Sequence, residues 1–87
     1  MPQSATTIAD GFDRVYGLAP DGAGGYYVGD HAGRVVHIAA AGARTVVIDG
    51  IGRPGGIAHD RDGALLVAEF VDFGAPGRVL RLDGAIP

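Results

Sequence analysis

Thr6-Thr7-Ile8-Ala9-Asp10-Gly11-Phe12-Asp13-Arg14 and Thr45-Val46-Val47-Ile48-Asp49-Gly50-Ile51-Gly52-Arg53 are two versions of one stretch, with Thr, Asp-Gly and Arg at matching places. Reading on from both at constant spacing, Gly17 returns as Gly56, Ala19 as Ala58, Asp21 as Asp60, Gly24 as Gly63 and Val28 as Val67. The spacing then widens slightly, and Gly33-Arg34-Val35 comes back as Gly77-Arg78-Val79. The chain is therefore two copies of one unit, the first over about 4–42 and the second over about 43–86.

Within each unit, short runs rich in Val, Ile, Leu, Tyr and Thr alternate with Gly- and Asp-containing breaks. Such runs are too short for stable helices and read as strands. Strands are expected over 6–9, 15–19, 26–30, 34–39, 45–48, 56–58, 64–69 and 78–82. The breaks Asp21-Gly22-Ala23-Gly24, His31-Ala32-Gly33 and Asp60-Arg61-Asp62-Gly63 supply the side-chain acceptors and positive φ that hairpin turns use. A longer link runs from Phe70 to Gly77 with Pro76 inside it, and residues 40–43 are too few to nucleate a helix. A period of about 40 residues built from short strands is the mark of propeller blades. The expected fold is all-β: two four-stranded blades per chain, with the ring closed by copies of the chain.

Composition agrees with a small domain that gains from association. A chain of 87 residues without cysteine has neither disulfides nor thiolate metal sites to supplement a small core. The net charge is -3, and all seven cationic residues are scattered arginines, which speaks against a nucleic-acid partner. Gly, Arg or Asp interrupts every apolar run well before the ~20 residues needed to cross a bilayer, so no membrane partner is expected. Met1-Pro2-Gln3-Ser4 has neither the basic end nor the apolar core of a signal peptide, which makes the cytoplasm the default expectation.

The segments Pro54-Gly55-Gly56-Ile57-Ala58-His59-Asp60, Gly63-Ala64-Leu65-Leu66-Val67-Ala68-Glu69 and Gly77-Arg78-Val79-Leu80-Arg81-Leu82-Asp83 resemble an NHL-type blade. They are also similar to blades of the gluconolactonase and senescence-marker-protein lactonases. Gly17-Leu18-Ala19-Pro20-Asp21, Tyr26-Tyr27-Val28-Gly29-Asp30 and Gly33-Arg34-Val35-Val36 form a looser version, so the resemblance spans nearly the whole chain. It implies that the Pro-x-Gly strand is the innermost of four and the Thr-rich strand the outermost. The chain then begins with an outer strand, 6–9, whose blade lies elsewhere, and ends with a blade short of its outer strand. Strand 6–9 is expected to complete the last blade of a neighbouring copy by pairing with 78–82, an edge otherwise prone to aggregation. The outward faces of the two-blade piece are expected to expose Val28, Leu66 and Val67 until copies cover them. Head-to-tail closure removes both problems. Three copies give the six blades usual in the resembled families, and four copies giving eight is the second choice.

The same resemblance implies, for the lactonases, a divalent cation at the channel mouth held by Glu, Asn and Asp, one of them between the Pro and Gly of the Pro-x-Gly pattern. Here that slot holds Gly55 and Tyr16, and the chain has no Asn. Hard cations need several oxygen ligands, so no metal, no cofactor and no catalytic residue are assigned.

Candidate ligand-binding side chains at the channel mouth are Arg14, Tyr16, Arg53, His59, Asp30 and Glu69. Asp30 and Glu69 end equivalent strands, where they either bind a cation or sugar or, as turn carboxylates commonly do, accept backbone hydrogen bonds from the following turn. The second reading is preferred. Arg14 and Arg53 precede inner strands and either attract small anions or bond Asp10, Asp13 and Asp49. His59 would be a base or ligand if it faced a channel, although no partner for it is identifiable. His37, alternating with Val36 and Ile38, suits a solvated position. Asp60-Arg61-Asp62-Gly63 lacks the spacing of a calcium loop and reads as a turn. Ser4, the lone serine, sits in no nucleophile motif. The function expected is a self-assembling propeller module with a channel open to a small ligand or carbohydrate. The alternative is a lactonase-like metal-dependent hydrolase, or a fragment of one.

Overall fold

In the computed structural model, residues 3–70 and 76–82 are described. Seven strands form two antiparallel sheets. The first sheet takes β1 (Val15–Pro20), β2 (Tyr26–Asp30), β3 (Arg34–Ile38) and β4 (Arg44–Ile48) in sequential order. The second takes β5 (Arg53–His59), β6 (Leu65–Phe70) and β7 (Arg78–Leu82), also in order. The all-β expectation holds. Residues 71–75 of the longer link lie outside the described residues.

The turns form at the expected Asp and Gly positions. Asp21 Oδ1 accepts the N–H groups of Ala23 and Gly25 at 2.7 and 2.8 Å, and Asp60 Oδ1 accepts those of Asp62 and Ala64 at 2.9 and 3.1 Å. Gly24 and Gly63 close these turns at φ of 91° and 87°, a region that costs a residue with a Cβ. Both Asp60 carboxylate oxygens are thereby committed, since Oδ2 pairs with Arg81 at 2.8 Å. A second shared irregularity is a register shift near the start of each sheet's first strand, between Val15 and Leu18 in β1 and between Pro54 and Gly56 in β5. This bulge carries strand β5 through Pro54-Gly55-Gly56, so it starts at Arg53, earlier than the expected Gly56.

The sheets pack face to face. Tyr27 and Val35 of the first meet Leu65 and Val67 of the second, with Ile57, Leu80, Leu82 and the partly buried Val47, Ile48 and Ile51 around them. Val35, Leu65 and Val67 have no exposed surface, and burial of such side chains stabilises by about 1.5–3 kcal/mol each. Strands β1 and β5 lie side by side and run the same way, Gly17 beside Ile57 and Pro20 beside His59. A Cβ on Gly17 would sit 2.8 Å from Ile57 Cγ1 and 3.0 Å from the Gly55 carbonyl oxygen, and one on Gly29 would sit 3.1 Å from Pro54 Cβ. The approach of the sheets therefore calls for glycine at Gly17 and leaves a tight fit for any side chain at Gly29.

The repeat and the sheets are out of step by one strand. Strand β4 belongs by sequence to the second unit, yet it pairs with β3 and completes the first sheet. Its counterpart, 6–9, is not a strand within the chain. The segment instead crosses the far face of the first sheet, where Ala9 and Phe12 pack on Val28, Val36 and Ile38. The Arg44 guanidinium lies 4.8 Å from the Phe12 ring centroid and helps to hold it there. Val28 and Val67, both expected to be exposed, are buried, the first by this segment and the second by the facing sheet. Leu66 alone of the three stays partly open, on the outward face of the second sheet.

Candidate functional site

The antiparallel registers place the six candidate side chains at two opposite ends of the molecule. Val15 pairs with Asp30 and Arg53 with Phe70, so Arg14, Tyr16, Asp30, Arg53 and Glu69 share the end where β1 and β5 begin. His59, paired with Leu65, lies at the other end, where β5 finishes. The six do not form one site.

Asp30 is fully buried, and its oxygens are occupied. Oδ1 accepts the Ala32 N–H at 2.8 Å, and Oδ2 accepts from Arg34 Nε and Nη2 at 3.3 and 3.2 Å. The Asp13 backbone supplies a further donor. Glu69 repeats the arrangement, accepting the Gly52 N–H at 2.8 Å and Arg78 Nε and Nη2 at 2.6 and 3.0 Å. Asp13 and Gly52 correspond in the repeat, as do Arg34 and Arg78. Each carboxylate thus fastens the arginine of the next strand to the link that enters β1 or β5. The expected bond to the following turn exists at Asp30; at Glu69 a backbone donor comes from the preceding link, while residues 71–75 of the following link lie outside the described residues.

Burial raises the Asp30 pKa, but the Ala32 N–H and the Arg34 guanidinium outweigh it and hold the group below its ordinary value. At Glu69 the Arg78 hydrogen bonds, followed by the Gly52 N–H, bring the pKa down to about 2. Both groups stay charged at neutral pH and carry saturated oxygens, which suits a clasp and unsuits a general acid or a cation ligand.

The remaining groups at this end are open. Tyr16 is 63% exposed, and its ring stacks on His31 with centroids 4.0 Å apart and planes 6° from parallel. Arg14 and Arg53 are both exposed. The Arg14 carbonyl accepts the His31 N–H at 2.9 Å, and the Arg53 guanidinium lies 5.6 Å from the centre of the Phe70 ring.

At the opposite end, the His59 Nε2–H donates to the Pro20 carbonyl at 2.7 Å, a cross-sheet tie, and the ring meets the edge of Tyr27 at 5.6 Å. Tyr27 also contacts His37 at 4.9 Å. His37, expected in a solvated position, is 6% exposed, and its Nε2 bonds Asp21 Oδ2 at 2.7 Å. The alternation with Val36 and Ile38 holds, but the face that carries His37 is the one against which the second sheet presses. The hydrogen bonds from His37 and Ala23 lower Asp21 to about 2, against a smaller opposing effect of burial. The repeat itself contains the signal for this pair. Asp60 and Arg81 hold the corresponding places and bond at 2.8 Å.

Among the described residues, no three His, Asp or Glu side chains converge as a metal set, and no helix is long and apolar enough to cross a membrane. A groove of about 270 Å³ lies on the far face of the first sheet. Its walls are the segment 6–9 and Phe12 on one side and Val15, Leu18, Tyr26, Val28 and Ile38 on the other. The lining is mainly apolar, with Thr6, Thr7 and Tyr26 adding polar groups, and none of the six candidate residues lines it. The chain matches no protein-family model and has no significant match among curated proteins.

Proposed function

We propose that this chain is a self-assembling two-blade module, whose copies join head to tail into a closed propeller of the NHL or gluconolactonase-like type. The observation that carries this reading is the way its two sheets meet. Corresponding residues of the two units do not face each other. Tyr27, Val35 and Gly29 of the first sheet look toward the second, whereas their counterparts Leu66, Val79 and Ala68 look away from it. The interface is therefore front to back, and one front and one back remain without a facing sheet at the ends of the molecule. Front-to-back contacts propagate until a rotation closes them into a ring or they run on as a filament.

Closure is the better reading, because β1 and β5 lie parallel and adjacent as innermost strands around an axis do. Three copies forming six blades is the leading stoichiometry, with four copies forming eight the second. The slot in which a hydrolase of the lactonase type would place a metal ligand holds Gly55 and Tyr16, and the strand-end carboxylates Asp30 and Glu69 are held by arginine and backbone, so a scaffold suits the chain better than an enzyme. Arg14, Tyr16 and Arg53 would recur around one mouth of such a ring and offer small anions or sugars charged and aromatic surface.

Native mass spectrometry tests the proposal. A single species of three chains supports it, a species of four revises the ring size, and a folded monomer at all accessible concentrations overturns it. A divalent-cation chelator should leave the thermal midpoint unchanged; a marked loss would favour the hydrolase.

A further inference from the structure

The front and the back without a facing sheet can be identified residue by residue, because the molecule already contains one complete example of the interface. On its second-sheet side that interface consists of Leu65, Val67, Leu80 and Leu82, flanked by Ile48 and Ile51 from the link region. The repeat matches these to Tyr26, Val28, Val36, Ile38, Ala9 and Phe12. Those six are the cluster on the far face of the first sheet. One side of a second interface is thus assembled in the single chain, its flanking segment included.

Its other side is missing. In the internal interface that side is Tyr27 and Val35, whose counterparts Leu66 and Val79 lie on the outward face of the second sheet. Val79 is 74% exposed. The gap they would fill is the apolar groove between the segment 6–9 and the first sheet, bordered by Leu18, itself 61% exposed.

A glycine supplies an independent observation. Gly17 is required where it stands, since a Cβ there meets Ile57 and the Gly55 carbonyl. At its counterpart Gly56 an added Cβ would meet nothing within 4 Å, and φ is not positive, so neither crowding nor a left-handed backbone within the isolated chain calls for glycine there. A partner pressing on Gly56 as β5 presses on Gly17 accounts for it, and the counterpart of Ile57 is Leu18.

We infer that the outward face of the second sheet, centred on Leu66, Val79 and Gly56, docks into the groove between the segment 6–12 and the first sheet of a second copy. The inference rests on the self-assembly reading and gives that assembly one register. Segment 6–12 is then a preplaced wall of the socket. It keeps Val28, Val36 and Ile38 out of water before the partner arrives, and it brings 6–9 next to the edge of the partner's β7.

The internal contact between Gly29 and Pro54 corresponds, across copies, to Ala68 of one and Val15 of the next. The chain has no native cysteine. A Val15→Cys/Ala68→Cys variant should therefore form covalent dimers and longer ladders on oxidation, visible by non-reducing electrophoresis, with neither single variant giving a ladder. Gly56→Val should keep the β circular dichroism of the parent and shift the native mass to that of one chain. If the parent assembles but the paired thiols do not link and Gly56→Val still assembles, the copies meet elsewhere; the inference falls while the module survives. A monomeric parent overturns both.

Discussion

The first sheet is covered on both faces and the second on one, although both are built from the same repeat. On the first, the facing sheet covers Tyr27 and Val35, and segment 6–12 covers Val28 and Val36. On the second, Leu65 and Val67 are sealed, but Val79 on the reverse face stands in solvent. Both units carry the apolar residues that a two-sided sheet needs. The difference lies in what the chain can supply from its own length, and it shows that burial here is set by neighbours more than by the local pattern.

Residues matched by the repeat but unequal in burial offer the sharpest ways to challenge this contrast. The largest effect belongs to Leu65→Ala, expected to lower unfolding stability by about 3 kcal/mol in denaturant titration, as befits a wholly buried leucine. A value below about 1 kcal/mol would mean that the sheets do not pack as described. Next, Val35→Ala should cost about 2 kcal/mol, while Val79→Ala at the matched position should stay within about 0.5 kcal/mol when the chain is dilute. Equal losses would erase the distinction between the two faces.

Acid treatment separates the clasps. Glu69 is charged in the folded state down to about pH 2, against an ordinary value of 4.5. A depressed folded pKa contributes stability that is complete above the unfolded value and disappears as pH falls through the folded one. Stability should therefore decline from about pH 4.5 toward pH 2, and Glu69→Gln should flatten that decline while lowering stability at neutral pH. Asp21, brought down to about 2 from 3.8, adds to the same acid limb. A small effect is also expected from Arg81→Ala. Its pair with Asp60 is half exposed on the arginine side, so the loss should stay below about 1 kcal/mol. His37→Ala, at the matched buried pair, should exceed it, because it leaves the Asp21 carboxylate without its side-chain donor.

The legibility of the sequence follows the same division. Strands β2 and β7 match their expected ends because Gly, Asp and Arg bound them locally. Strand β5 is longer than its sequence suggests, since Pro54-Gly55-Gly56 looks like a breaker until the bulge is seen to carry the strand through it. Segment 6–9 has strand-like residues but no strand bonding within the chain, a fact that depends on distant neighbours. Turn carboxylates are readable for a similar local reason. The buried Asp21–His37 pair is not, because it depends on which face meets the other sheet, whereas the dispersal of the six candidate residues to opposite ends follows from the antiparallel registers. The internal repeat is the exception, linking distant positions with no structure at all.

The one-strand offset between repeat and sheet has a consequence for how the molecule comes apart. Strand β4 is anchored to β3, and only residues 49–52 separate it from β5. The five steps from Ile48 to Arg53 reach about 17 Å when fully extended, not twice the ~10 Å at which stacked sheets sit. Gly52 within that tether is also fastened to Glu69. The second sheet therefore has little slack in which to swing away while the first remains intact; opening the core requires β4 to peel from its neighbour at the same time. Two sheets that share no hydrogen-bonded strand are in this way coupled mechanically, and they should disassemble in a single cooperative step.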